Sequence, residues 1–260
     1  MRTSSERSSE TRGARFLVVG AGGLGSPVLL ALARAPGVAS IVLIDDDVVD
    51  RSNLHRQTLY TADDLGARKV ERAVARLRGE AEAAGSAAEI RGVEGRFLPD
   101  NAQALLADVD VVVEGADNFA TKFLVADACG LAQRPLVQAG CVRWAGWALA
   151  TVPGVSACLR CLFEDVPARL AASAGKPVPP ETCAEAGVIG PIVGVLGALE
   201  AVLALRLAAG DVGAAGVLWR YDGLRGEVRR STVRRRSDCA LCTGAITSLA
   251  AESYAAPDCR

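Results

Sequence analysis

Four cysteines fall in two short pairs, Cys158-Leu159-Arg160-Cys161 and Cys239-Ala240-Leu241-Cys242. A two-residue gap lets both sulfurs of a pair turn onto one metal ion, so the two pairs make the four-thiolate set that zinc prefers. With four protein ligands such a site is closed and structural. Two redox-active pairs are the alternative. Far upstream lies Gly20-Ala21-Gly22-Gly23-Leu24-Gly25, with G-x-G-x-x-G spacing at Gly20, Gly22 and Gly25. Glycines there let the backbone approach a phosphate, and the following helix start offers amide donors and a positive dipole end. Asp45 stands about 20 residues further on, where a ribose-binding acid belongs. On these features alone, NAD binding is the default reading.

The residues after Asp45 favour another chemistry. The chain continues Asp46-Asp47-Val48-Val49-Asp50-Arg51-Ser52-Asn53-Leu54-His55-Arg56-Gln57, and Lys69 comes after Gly66-Ala67-Arg68. Arg56 and Lys69 put cations on a loop and at a helix start beside a phosphate cradle. A dehydrogenase does not need them. A nucleotidyl transfer does, because charge builds on the triphosphate as pyrophosphate leaves. Asp117-Asn118 ends a later strand at the carboxyl edge of the sheet, where ligands of open α/β sheets bind. A carboxylate there is suited to hold Mg2+ on the phosphates.

These groups need a frame. Phe16-Leu17-Val18-Val19 enters the glycine turn as an apolar run and reads as a buried parallel strand. Residues 23–35 read as a helix stopped by Pro36-Gly37. Residues 40–44, 88–93, 109–113 and 135–139 read as strands. Residues 66–82, 101–106 and 119–133 read as helices. Such alternation implies right-handed crossovers and a parallel sheet. Residues 142–152 read as an antiparallel continuation turning at Gly146, and 217–221 with 227–233 as a hairpin around Gly223. Residues 186–199 carry no charge until Glu200. That run is too short for a bilayer and reads as a buried helix, with Gly190, Gly194 and Gly197 allowing close backbone approach. The fold class is α/β: a Rossmann-like, mostly parallel sheet continued by antiparallel strands, with a structural four-cysteine zinc site.

The 260 residues, half of them apolar, suit one large domain. Residues 1–14 read as a flexible tail, 15–244 as the domain and 245–260 as a C-terminal tail. A net charge of −1 argues against a general nucleic-acid or membrane-surface binder. Arg234-Arg235-Arg236 reads as a solvated loop. The polar start lacks an apolar leader, so a cytoplasmic protein is expected. Reduced thiols there favour metal over disulfides.

Together, several motifs resemble the MoeB/ThiF family, bacterial relatives of ubiquitin-activating enzymes. They are the glycine turn, the Ser-Asn-Leu-x-Arg-Gln block, Lys69, Asp117-Asn118, both cysteine pairs and Thr182-Cys183-Ala184-Glu185-Ala186-Gly187-Val188. The likeness covers about residues 15–244. It implies that ATP adenylates the C-terminal Gly-Gly carboxylate of a small ubiquitin-like sulfur carrier. A sulfur donor then converts the acyl-adenylate to a thiocarboxylate. It further implies ATP, Mg2+ and Zn2+, and a homodimer. By position, Gly23 would line the phosphates and Asp45 hold the ribose. Asp47, Ser52, Asn53 and Asn118 would support the nucleotide, and Arg56 and Lys69 would contact the triphosphate. Asp117 would ligate magnesium, and Cys158, Cys161, Cys239 and Cys242 zinc. Cys183 matches the cysteine that in some members links covalently to the carrier or relays sulfur. A helix start just behind it favours thiolate.

Cys129 and Cys141 read as small core residues. His55 is not needed as a base, because the carrier carboxylate is already ionised. Two departures stand out. None of Arg2, Arg7, Arg12 and Arg15 sits in the motif that reaches a partner subunit's ATP, and Ala116 replaces the commoner Thr. No rhodanese domain follows the second cysteine pair, so a separate sulfur donor is expected. Activation of a peptide carboxylate in a biosynthetic pathway is the alternative within enzymes. A non-catalytic partner subunit is disfavoured by the presence of Arg56, Lys69 and Asp117.

Overall fold

The computed structural model describes residues 12–163 and 187–254. Cys183 and Cys259 therefore lie outside the described residues. The alternation expected from sequence is present. It runs β1 (Ala14–Val19), α1 (Gly25–Arg34), β2 (Val38–Asp45), α2 (Lys69–Ala83), β3 (Glu89–Glu94), α3 (Pro99–Leu106), β4 (Val111–Glu114), α4 (Phe119–Leu131) and β5 (Leu136–Val142). After β5 come β6 (Ala145–Thr151), the short α5 (Leu159–Leu162), the long α6 (Gly190–Ala208), β7 (Val217–Asp222) and β8 (Glu227–Thr232).

The eight strands among the described residues join one sheet in the order β3-β2-β1-β4-β5-β6-β7-β8. The first five are parallel, and β6, β7 and β8 continue it antiparallel. The apolar run of β1 has no polar alternation because both faces are covered. Phe16 and Val18 meet Leu29 and Leu32 of α1 and Leu196 of α6 in one core. Leu17 and Val19 meet Leu106 of α3 and Leu124 of α4 in the other. Strand order reverses between β1 and β4, which opens a crevice at their carboxyl ends.

Three boundaries differ from expectation, each for a tertiary reason. The helix expected from residue 66 begins at Lys69. Residues 66–68 are instead paired to the preceding loop: Gly66 N–H donates to Val49 O, Val49 N–H to Ala67 O, and Val48 bridges Arg68. The β5–β6 turn falls at Arg143-Trp144, with Arg143 at φ 54°. Gly146 lies inside β6, where a side chain would run into Leu196 of α6. The apolar helix does not stop at Glu200 but runs on to Ala208. Gly190 and Gly197 do allow close approach, to the His55 carbonyl and to Pro27, whereas Gly194 faces open space. By length and composition α6 is apolar enough to cross a membrane, with mean hydropathy 1.8. Here it packs against α1 and the sheet, where Leu196, Leu203 and Leu207 join the first core.

Glu200 is fully buried, and neither carboxyl oxygen has a hydrogen-bond partner among the described residues. Burial pushes its carboxyl far above the usual range; Lys122 opposes this and Glu114 adds to it. A neutral carboxyl is compatible with an uninterrupted apolar helix. The unfolded chain ionises this group above about pH 4.3. The stability it allows is therefore fully present below that pH and is lost as pH rises toward the elevated folded value. Glu200→Gln is expected to raise Tm near pH 8 by at least ~2 °C, with the gain vanishing near about pH 4. Thermal melts across pH check this, and a gain of constant size at every pH would count against it.

Candidate nucleotide site and metal centre

The crevice at the carboxyl ends of β1 and β4 holds a cavity of about 360 Å3. Its floor is the glycine turn. Gly20 adopts φ 92°, a left-handed conformation that side chains disfavour. A Cβ on Gly25 would collide with the Gly20 carbonyl, so the turn can close only with glycine there. No side chain caps the first turn of α1, so the helix start that faces the cavity is available to an anion.

Among the residues singled out in the sequence, Gly20, Gly22, Gly23, Asp45, Asp47 and Asn53 line this cavity. Arg56, Lys69, Asp117 and Asn118 do so as well. Gly25 shapes the turn from behind. Ser52 does not reach the cavity; its N–H and hydroxyl both donate to Asp50. Cys183 is outside the described residues.

Asp45 braces the turn. Its carboxylate accepts from Ala21 N–H at 2.7 Å and from Asp47 N–H at 2.9 Å. Each oxygen keeps a second lone pair for a ligand hydroxyl. Burial pushes this carboxyl up from its ordinary value, opposed by Lys69 and the two amide donors. Beneath it, Tyr60 donates its hydroxyl to the Ala21 carbonyl at 2.9 Å. Both candidate phosphate cations are held locally. Lys69, itself buried, pairs with the open carboxylate of Asp47 at 2.7 Å. Arg56 folds back to donate to Asn53 Oδ1. A triphosphate entering the cavity would compete for both.

Asp117 sits at the mouth, with no hydrogen bond or ion pair among the described residues. That leaves a carboxylate able to ligate a hard cation together with substrate phosphates, the usual mode for Mg2+. Asn118 caps α4 by accepting from Thr121 N–H at 2.8 Å. Behind them lies a buried group that the sequence reading did not single out. Glu114 accepts from Ala116 N–H at 2.6 Å, from Lys122 Nζ at 3.0 Å and from Gln138 Nε2 at 2.9 Å. It fixes the loop that presents Asp117. Charged residues inside apolar runs, Glu114 in a strand and Lys122 in a helix, were the available signal. Gln57, buried beside the turn with its Oε1 unpartnered among the described residues, was not assigned a role either.

Other expectations shift in detail. Cys141 is buried in the first core, as expected, and it also lines the cavity wall. Cys129 is buried in the second core, and burial pushes its thiol well up. Arg12 and Arg15 lie at the amino end of β1, paired with Asp110, at the opposite end of that strand from the glycine turn.

The two cysteine pairs, 81 residues apart, converge. Sulfur–sulfur distances are 3.8 Å for Cys158–Cys161, 3.5 Å for Cys158–Cys239, 3.6 Å for Cys161–Cys242 and 3.5 Å for Cys158–Cys242. A tetrahedral site with bonds of ~2.3 Å sets its sulfurs about 3.8 Å apart, so the thiols fit one zinc ion. The arginine run is a loop in which Arg234 and Arg235 are exposed, as expected, and it also contacts the metal centre. Arg236 N–H donates to Cys161 Sγ at 3.4 Å, and Arg235 donates to the Gly154 and Cys242 carbonyls. Such outer contacts offset the negative charge of a tetrathiolate and fix its loops.

A Rossmann-type sheet with a phosphate cradle at its switch point and a four-cysteine centre defines a nucleotide-binding α/β protein. The ThiF family profile matches residues 2–241, and the chain belongs to that family. The chain is 36% identical over 248 residues to "Adenylyltransferase and sulfurtransferase MOCS3" of Xenopus laevis, covering 94% of this chain and 51% of that protein. It is 37% identical over 238 residues to "SAMP-activating enzyme E1" of Haloferax volcanii, covering 90% of this chain and 83% of that protein. Thus it spans about half the length of the MOCS3 proteins. One relative is thus named an adenylyltransferase and sulfurtransferase, and the other an activating enzyme. The fold is also that of E. coli MccB, crystallised with AMPCPP and MccA, with a TM-score of 0.72. The match has 23% identity and covers 89% of this chain and 67% of that one.

Purified reduced protein is expected to carry close to one zinc per chain. A stoichiometry near zero by metal analysis would remove the structural reading of the four cysteines. Cys239→Ser is expected to lower stability and metal content together, because metal binding at such sites is folding free energy.

Proposed function

We propose that this chain uses ATP to adenylate the C-terminal Gly-Gly carboxylate of a ubiquitin-like sulfur-carrier protein, preparing it for thiocarboxylate formation. The observation that carries this reading is the convergence of the glycine turn, Arg56, Lys69 and Asp117 on one cavity at the switch point. A carrier carboxylate oxygen attacks the α-phosphorus of ATP. The bond from that phosphorus to the bridging oxygen breaks, and pyrophosphate leaves. The attacking carboxylate is already ionised near neutral pH, so the step needs no base. The single histidine, His55, is exposed and lies against Arg56. The glycine turn and the start of α1 orient the phosphates, and Asp45 accepts from the ribose hydroxyls. Arg56 and Lys69 turn from Asn53 and Asp47 to the triphosphate and stabilise the charge that develops on the leaving group. Asp117 would hold Mg2+, which would supply further neutralisation of the phosphate oxygens. Cys158, Cys161, Cys239 and Cys242 would hold Zn2+, which would tie their two loops together. Cys183 acts after the acyl-adenylate forms, with sulfur supplied by a separate donor in the cytoplasm.

The active form is a homodimer. Pro191, Val195, Ala198 and Val202 make an exposed uncharged stripe along α6, spaced by three or four residues. Trp144 and Leu224, 43% and 71% exposed, extend it from two hairpin turns joined by the Gly223 N–H bond to the Trp144 carbonyl. An apolar surface of this kind favours burial against a like surface. Light scattering at micromolar concentration is expected to give the mass of a dimer, and Val195→Glu with Val202→Glu to give that of a monomer. A monomeric wild-type mass refutes the assembly.

Carrier-dependent exchange of labelled pyrophosphate into ATP tests the chemistry. Asp117→Ala and Arg56→Ala are each expected to slow it by roughly 10²-fold or more, the scale for one transition-state charge contact. Cys183→Ala is expected to leave exchange nearly intact and to slow thiocarboxylate production. If Cys183→Ala abolishes exchange in folded protein, the order of steps is wrong. If exchange proceeds without a Gly-Gly carrier but with a short peptide, the substrate is a peptide carboxylate.

A further inference from the structure

Outside the nucleotide cavity and the four thiols, a fully buried carboxylate is held in an ion pair. Asp127 of α4 is fully buried. Arg160, which stands between the ligand cysteines 158 and 161, grips it with a two-pronged fork: Nε to Oδ1 at 2.7 Å and Nη2 to Oδ2 at 2.6 Å. The Tyr254 hydroxyl closes the group by donating to Oδ2 at 2.7 Å. The guanidinium also lies 5.0 Å from the centre of the Phe123 ring. The loop that carries half of the metal centre is thus locked onto α4.

A second arm leaves the same loop. Phe163, two residues past Cys161, packs edge-on to Phe119 at 5.7 Å and against Trp147 at 5.1 Å. Trp147 lies so close over Gly140, in the cavity wall, that no Cβ fits there. Its ring centre is 5.8 Å from Lys122 Nζ. Lys122 bonds Glu114, and Glu114 holds the Ala116 amide, one residue before Asp117. An unbroken series of contacts therefore runs from the metal loop to the candidate magnesium carboxylate of the nucleotide site.

We infer that Arg160 and Phe163 are positioning residues through which the four-cysteine centre sets the Asp117 side of the nucleotide site, so that metal and ATP bind with positive coupling. This rests on the nucleotide reading above. With metal bound, the 158–161 loop has one geometry, and the fork and the ring transmit it to α4 and to the Lys122–Glu114 brace. With metal lost, the thiols repack, and the loop no longer fixes either arm. Packed cores have discrete rather than continuous arrangements, which is what lets such a contact bias a site at a distance. Coupling of binding free energies is reciprocal, so ATP must tighten metal by the same factor that metal tightens ATP.

The test uses the full zinc-loaded chain. Zinc affinity is measured by competition with a chromophoric chelator, with and without ATP under excess Mg2+. ATP is expected to tighten zinc by about fivefold or more, the lower end of typical site coupling. Arg160→Met is expected to bring that ratio toward one, as is Phe163→Leu, the milder variant should the first not fold. A fork that serves stability alone would lower Tm and leave the ratio untouched. Equal zinc affinity with and without ATP in wild type overturns the inference, as does an undiminished ratio in the folded variants. Calorimetric titration of ATP separates the two readings. Absence of any ATP binding sinks the nucleotide site itself, whereas ATP binding with a zinc ratio of one sinks only the coupling.

Discussion

Where β1 and β4 part, three backbones touch. Gly20 turns the chain out of β1, Gly25 begins α1 against the Gly20 carbonyl, and a Cβ on Gly115 would press on the Gly25 amide. None of these contacts leaves room for a side chain. The start of α1 is thereby brought to the mouth of the switch point, and the β4–α4 loop is laid beside it. Asp45 then ties β2 to the same turn through Ala21, and Glu114 ties the loop to α4 and β5. Remove the close approach, and the phosphate cradle, the ribose acid and Asp117 no longer share a cavity.

The buried charges follow one logic. Glu114 with Lys122, and Asp127 with Arg160, are each supplied with further donors, from Gln138 and Ala116 in one case and Tyr254 in the other. A buried pair adds little net stability over an apolar pair, but leaving one partner alone costs about 3–5 kcal/mol. Their effect here is geometric: they admit one arrangement of α4 against the sheet and the cysteine loop. Among the described residues Glu200 has no such company, and burial pushes its carboxyl well above the usual range. Lys69 and Arg56 form a third class. Their partners, Asp47 and Asn53, lie at the cavity edge, where an incoming phosphate can replace them.

The departures from the sequence reading share a cause. Gly146 looks like a turn residue because glycine usually punctuates a chain; its real reason is Leu196 of α6, about 50 residues away. Residues 66–68 look helical from periodicity, but Val48 and Val49 claim their backbone. A charge at position 200 looks like the end of an apolar helix, but Glu200 is buried inside it and burial pushes its carboxyl up. Arg236 looks solvated until the cysteine loops close around it and its N–H meets Cys161 Sγ.

The sequence by itself determined the alternation of strand and helix, the glycine turn, the acid after β2, the cations of the following loop and the two thiol pairs. Each is a local pattern whose meaning lies in residue type and short spacing, because backbone sterics and ligand geometry act over a few residues. Only the tertiary structure decided the rest. It brought thiols 81 residues apart within 3.5 Å, placed Glu114 and Lys122 behind Asp117, locked Arg160 onto Asp127 and left a bare stripe on α6. Desolvation and close packing act between residues distant in the chain, and neither acts until the layers have closed.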